Sequence, residues 1–255
     1  MSVHVSRGGA VFTVTIDRPE RRNAVDDLTA VALREAFDAF EADDAAQVAV
    51  LTGAGGHFCA GYDLKAFSEN GSSYDPEGEG PMGPTRRLLS KPVIAAVEGS
   101  AVAGGLELAL WCDLRVASDS AVFGVFCRRW GVPLIDGGTV RLPRLIGHSR
   151  AMDMILTGRA VEAEEAMAIG LANRRCATGQ ALATAQALAA EIAAFPALCM
   201  RTDRHTAYDQ WGMALSVALQ LEGRRGEAPV RQGARDGARR FAEGAGRGGK
   251  FDTPT

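Results

Sequence analysis

The sequence predicts an α/β fold with an appended helical region. Two patterns carry that expectation. In the first half, short apolar or alternating runs bounded by Gly, Asp and Asn alternate with helix-period segments. From about residue 137 to 243 the pattern turns helical and rich in Ala. A chain of 255 residues with 47% hydrophobic and 23% charged residues has the composition of a globular protein and is long enough for one large domain or two modest ones.

Taken in order, Val11–Asp17 (VFTVTID) alternates apolar and polar side chains, as a strand with one covered face does. RPERRNA at 18–24 follows as a loop. Leu28, Val31, Ala32, Phe37 and Phe40 fall at roughly helical spacing and predict a helix over 28–43. Residues 47–53 and 92–99 read as apolar strands, the first running into GAGGHF. A buried helix follows the second over 102–113. Residues 113–118 and 121–126 read as two further strands. Helical segments are expected at 149–157, 162–169, 180–194 and 205–222. Residues 68–84 carry no regular pattern, and a loop of that length is either a pocket wall or lid, or disordered. The Gly-rich tail has no periodic apolar face and is expected to be loosely held.

Charge and cysteine use narrow the function classes. A net charge of −3 with only short basic clusters gives no electrostatic footprint for nucleic acid or an anionic membrane. Five cysteines at 59, 112, 127, 176 and 199, without CxxC spacing, read as reduced thiols of a cytoplasmic protein. Four scattered histidines give no metal spacing, so no metal is expected. The N-terminus has no apolar signal core. The most apolar window, 92–112, is interrupted by Glu98 and Glu107, so no membrane span is expected.

Four segments can carry chemistry. Glycines at 53, 55, 56 and 61 let the backbone turn tightly and approach a ligand, or simply join a strand to a loop. SAVAGGLEL at 100–108 leads a strand into a Gly pair and a helix. The first N–H groups of that helix, Gly104 among them, lack internal partners and can stabilise negative charge on a substrate oxygen. Glu107 is the only charged residue from Ala103 to Cys112. A buried carboxylate either finds a partner or holds its proton to higher pH, as proton transfer near neutrality requires. Asp136, before GGTVRL, is either a helix N-cap or a second catalytic carboxylate.

Together, DRPERRNAV, HFCAGYDL, VEGSAVAGGLELALWCDLRVAS and FGVFCRRWGVPLIDGGTVRLPRLIG, with AMDMILTGRAVEAEEAMAIGLANRR downstream, resemble the crotonase superfamily, the enoyl-CoA hydratase/isomerase group. The match runs from about residue 10 to 243. The resemblance implies a crotonase-like spiral of ββα units over 1–195 and a C-terminal helical trimerisation region with a Gly-rich tail over 196–255. It implies an acyl-CoA substrate, coenzyme A entering as part of that substrate with no separate cofactor, and a homotrimer or dimer of trimers. Carried over by motif, the N–H groups of Ala60 and Gly104 would hold the thioester oxygen and Glu107 would be the first of two acid/base glutamates. The second would fall at residue 127, which is Cys. Some members place a functional Asp in a segment like GVPLIDGGT, which makes Asp136 the candidate partner of Glu107. Arg22 and Ala24 match the coenzyme loop. Gly61, Tyr62, Asp63 and Leu64, with Cys127, would border the substrate. Phe241 and Lys250 would help hold the coenzyme. The reaction implied is hydration of an enoyl thioester. Cys127 leaves double-bond isomerisation, or acyl-CoA binding without catalysis, as alternatives.

Overall fold

Three successive turns of chain repeat one plan: a strand in a large sheet, a strand or bridge in a small sheet, then a helical segment. The computed structural model describes residues 2–71 and 74–246. Among them, β1 (Val3–Gly8) and β2 (Val11–Ile16) form an antiparallel hairpin. β3 (Val48–Gly53) follows helix α1 (Asp27–Ala42) and pairs parallel to β2. Cys59 then bridges to the small sheet before α2 (Leu64–Asn70). In the next turn β4 (Val93–Val97) joins the large sheet, β5 (Ser100–Val102) the small one, and α3 (Gly104–Trp111) follows. In the third, β6 (Leu114–Ser118) pairs with β4, β7 (Val122–Gly124) pairs with β5, and α4 (Gly138–Ile146) closes the turn. This is the expected spiral of ββα units.

α5 (His148–Thr157), β8 (Ala160–Glu162), α6 (Ala163–Ala168) and β9 (Arg174–Cys176) complete the region. The large sheet then runs β1-β2-β3-β4-β6-β9 and the small one β5-β7-β8. The chain divides into two compact units after Ala189, inside α7 (Ala181–Ala193). The second unit carries α8 (Ala197–Asp209), α9 (Leu215–Pro229) and α10 (Arg235–Ala242). An Asp209–Arg225 ion pair at 2.6 Å links α8 to α9.

Local chemistry explains the element ends. Asp26 caps α1 by accepting from the Thr29 N–H at 2.8 Å. Ala30, Leu33, Phe37 and Phe40 form its buried face. At its other end the buried Lys91 ammonium donates to the Phe40 and Asp43 carbonyls, 2.8 Å each. α3 is buried on nearly every side, and its C-terminal carbonyls, Ala109 and Cys112, accept from the Arg115 guanidinium at 3.1 and 2.7 Å. Arg115 is 1% exposed and also donates to Leu171 O at 2.7 Å.

The structure differs from the sequence reading at several elements, β8 and β9 among them, which are strands within the stretch from 137 to 243 that reads as helical. The expected helix over 102–113 is β5 followed by α3, because Ala103 has φ +53° and breaks the chain direction between them. The expected helix over 205–222 is the end of α8 and the start of α9, interrupted at 210–214. β1 was not expected: of its residues only Val3 is buried, so it lacks the covered apolar face that marks the other strands.

Phe37 packs edge-on against Trp111 with ring centroids 4.8 Å apart, and the Trp111 indole donates to Arg87 O at 2.8 Å. Phe37→Ala should therefore lower stability by about 3–5 kcal/mol, read as a fall in the urea midpoint followed by tryptophan fluorescence.

Candidate active site

The loop at 18–25 is fastened by Asn23 and Arg18. Arg22 and Asn23 both have positive φ, +49° and +58°, and Asn tolerates that region better than most residues. The Asn23 amide donates to Ala54 O and His57 O at 2.8 and 2.6 Å and accepts from the Arg18 N–H. The Arg18 guanidinium donates to Ala24 O and pairs with Asp26 and Asp63 at 2.9 and 3.0 Å. The backbone then zips onto the 59–63 segment: Ala60 N–H to Arg22 O, Val25 N–H to Gly61 O, and Asp63 N–H to Val25 O.

This pairing corrects one expectation. The Ala60 N–H is committed to Arg22 O at 3.0 Å, so it is not available to a substrate oxygen. Two residues on, the Tyr62 N–H has no acceptor among the described residues, because only the flanking groups of the Val25–Tyr62 bridge are used. Gly61 brings this segment against α3. A Cβ on it would lie 2.9 Å from the Gly104 N and 2.9 Å from Ala103 Cβ, at φ +100°. Gly104 is the first residue of α3, so its N–H has no intrahelical acceptor. Two donors, from Tyr62 and Gly104, therefore stand on neighbouring segments.

One turn into α3, Glu107 is 2% exposed. Its Oε1 accepts from the backbone N–H groups of Asp136 and Gly138, both at 2.8 Å. Burial and the nearby Asp136 charge raise its pKa to about 7, against the pull of those backbone donors. Asp136 is equally buried, and burial raises its pKa as well. Its Oδ1 accepts from the Met82 N–H at 3.0 Å and from the Thr85 hydroxyl. It does not cap α4, whose N-cap is Gly137. Cys127 is buried, and its thiol pKa is pushed up first by burial and then by the Glu107 charge, which places the two in one electrostatic neighbourhood.

The remaining expected residues divide. Asp63 is buried, caps α2 through Lys65 N and Ala66 N, and pairs with Arg18, so its carboxylate holds the loop together. The Tyr62 hydroxyl donates to Asp27 at 2.5 Å, and burial with that contact lifts its pKa far above the usual range. Arg22 is exposed, Ala24 is buried beneath it, and Leu64 is exposed at the first position of α2. Phe241, in the second unit, is 68% exposed; Lys250 lies outside the described residues. No cluster of three or more potential metal ligands occurs among the described residues. No single helix among them is long and apolar enough to cross a membrane.

Sequence reasoning missed Asn23 and the Tyr62 N–H, and it left 68–84 open between a pocket wall or lid and disorder, without the contacts that hold the strap at 74–86. Arg86 donates to Asp75 O, Pro76 O and Gly78 O and to Ile135 O, while Arg141 joins Asp136 O at 3.0 Å to Thr85 O at 2.6 Å.

A spiral of ββα units with two backbone donors beside a buried glutamate defines a crotonase-type fold. The enoyl-CoA hydratase/isomerase family model matches residues 6–247, and the chain belongs to that family of enzymes. It is 37% identical over 249 residues to enoyl-CoA hydratase EchA19 of Mycobacterium tuberculosis, covering 94% of this chain and 92% of that one. It is 38% identical over 195 residues to carnitinyl-CoA dehydratase of Proteus mirabilis, covering 75% and 74%. The crystal structure of enoyl-CoA hydratase EchA1 from Mycobacterium marinum superposes with a TM-score of 0.89 at 39% identity, covering 95% and 96%.

The Glu107 pKa fixes a sign for stability. Folded Glu107 keeps its proton to about pH 7 against a reference of 4.5. Between those values the unfolded chain has lost the proton that the folded chain retains, so stability falls as pH rises through the window. Wild type should lose on the order of 3 kcal/mol relative to Glu107→Gln. Urea midpoints of both proteins at about pH 5 and 8 check this; parallel midpoints would contradict it.

Proposed function

We propose that this protein is an enoyl-CoA hydratase acting on 2-enoyl-CoA thioesters. The observation that carries the reading is Glu107: buried, held by one oxygen, and poised near pH 7 one turn from the Gly104 N–H. In the proposed reaction the Gly104 and Tyr62 N–H groups bind the thioester oxygen. Glu107 takes a proton from water as the water oxygen bonds to C3. The π electrons move to the thioester oxygen as an enolate, which the two donors stabilise by on the order of 3–4 kcal/mol each. Glu107 then returns the proton to C2, and the carbonyl re-forms. Asp136 contributes by raising the Glu107 pKa with its charge, and its Oδ1, bound to the Met82 N–H and the Thr85 hydroxyl, fixes residues 82–85 beside the site.

Arg22, Ala24 and the 61–64 segment are proposed to border the coenzyme portion, with coenzyme A supplied as part of the substrate and no separate cofactor. The names of the relatives, a hydratase and a dehydratase, fit addition and removal of water at the same bond. A homotrimer or dimer of trimers is proposed for the assembly; in the second unit Trp211, Leu215, Val217 and Leu219 are exposed in the single chain. The proposed compartment is the cytoplasm, where the free thiols would stay reduced.

Cys127 favours one second reading, double-bond isomerisation. Burial and the Glu107 charge push its thiol pKa up, which makes it a poor acid/base partner, and a single carboxylate can carry a proton between C4 and C2. Loss of the conjugated absorbance of a 2-enoyl-CoA should show hydration by wild type, with kcat lowered at least about 100-fold in Glu107→Gln. Faster conversion of a 3-enoyl-CoA than hydration of the 2-enoyl isomer would establish the isomerase reading instead. Binding of acyl-CoA with equal, negligible turnover in wild type and Glu107→Gln would leave a non-catalytic binder.

A further inference from the structure

The strap from Gly80 to Arg86 is tied down on three sides. Its turn closes through Gly83 N–H to Gly80 O at 2.9 Å. Gly83 rests on α1: a Cβ there would lie 3.0 Å from Ala30 O and 3.1 Å from Leu33 Cβ. Thr85 and the Met82 N–H are bound to Asp136, and Arg141 clips Thr85 O to Asp136 O. These ties fix where the Met82 side chain goes. It is 1% exposed and fills the space over the start of α3, where a Cβ on Gly104 would meet its Sδ at 2.5 Å and its Cγ at 2.8 Å.

We propose that Met82 determines substrate specificity at C2 of the acyl group, admitting straight-chain thioesters and rejecting those branched at C2. The inference rests on the oxyanion reading of Gly104. An oxygen held by the Gly104 N–H puts the acyl C2 two bonds away, beside the same backbone that Met82 covers. Met82 stands on the acyl side rather than the coenzyme side because its own N–H is bound to Asp136, whose N–H holds Glu107. Glu107 must reach C2 and C3, so the strap and the reacting carbons share one side of the carbonyl. The strap cannot swing aside without breaking the Asp136 bonds, so an added methyl at C2 meets a wall. One methylene of misfit in such a pocket is worth about 10–200-fold.

The test measures binding of butyryl-CoA and isobutyryl-CoA, saturated thioesters that differ in branching at C2, by titration calorimetry. Wild type should favour butyryl-CoA at least about tenfold. Met82→Ala and Met82→Val should bring the ratio below about threefold, chiefly by tighter isobutyryl binding. Met82→Leu, which keeps the bulk, should preserve it. The far-UV circular dichroism spectrum and urea midpoint report that each variant is folded, and Val retains more buried bulk should Ala fail. A wild-type protein that binds neither thioester overturns the functional reading and this inference with it. Binding of both with no preference, or a preference that Met82→Ala and Met82→Val leave intact, overturns the assignment of Met82 alone.

Discussion

A buried carboxylate has to be solvated by something, and here the solvent is another stretch of backbone. Glu107 Oε1 receives the N–H groups of Asp136 and Gly138, and the rest of the site is arranged around that contact. Gly138 must lack a Cβ, which would lie 2.9 Å from the same Oε1. Asp136 must stay put, and Arg141, Thr85 and the Met82 N–H hold it. The two N–H groups stabilise charge on Glu107, while burial and the Asp136 carboxylate oppose it. Burial and the Asp136 charge win, which lifts the group from 4.5 to about 7, where either protonation state is within reach.

The ββα repetition explains how distant residues reach one point. Each turn sends one strand to the large sheet and a strand or bridge to the small one, so the connections after the Cys59 bridge, β5 and β7 leave from adjacent parallel segments at the small sheet. The first delivers Gly61 and Tyr62, the second Gly104 and Glu107, and the third Cys127 and then Asp136. Glycine is required where the turns touch: at Gly61 against the Gly104 N, and at Gly105 against the Cys59 carbonyl. The similarity to hydratases and a dehydratase over most of the chain belongs to this shared frame. What distinguishes members is the few side chains mounted on it, Cys127 among them.

Elements with a strong period were legible in the sequence. β2, β3, β4 and α1 fall within a residue or two of their expected spans, because burial leaves a pattern: apolar residues on both faces of the strands and on one face of the helix. SAVAGGLEL read as a strand entering a Gly pair and a helix, but the sharp change of direction between β5 and α3 was not legible, since Ala103 at φ +53° is held by tertiary packing that no local propensity encodes. Glu107 and Gly104 stood out as an acid and a Gly pair in an apolar run. Ala60 did not survive as a donor because which N–H remains free depends on strand register against Arg22–Val25, and register is a property of the pairing. The side chain of Asp136 likewise turned from a helix cap to the strap, a contact more than fifty residues away in sequence.

The buried Arg115 at the far end of α3 bears on the site without approaching it. Its guanidinium sits on the Ala109 and Cys112 carbonyls, the negative pole of that short helix. A helix with both poles bare presents two opposed partial charges, and at a distance they largely cancel. With the negative pole discharged by a fixed cation, α3 acts as a one-ended positive electrode. Its uncompensated field emerges at Gly104, inside a medium too apolar to screen it.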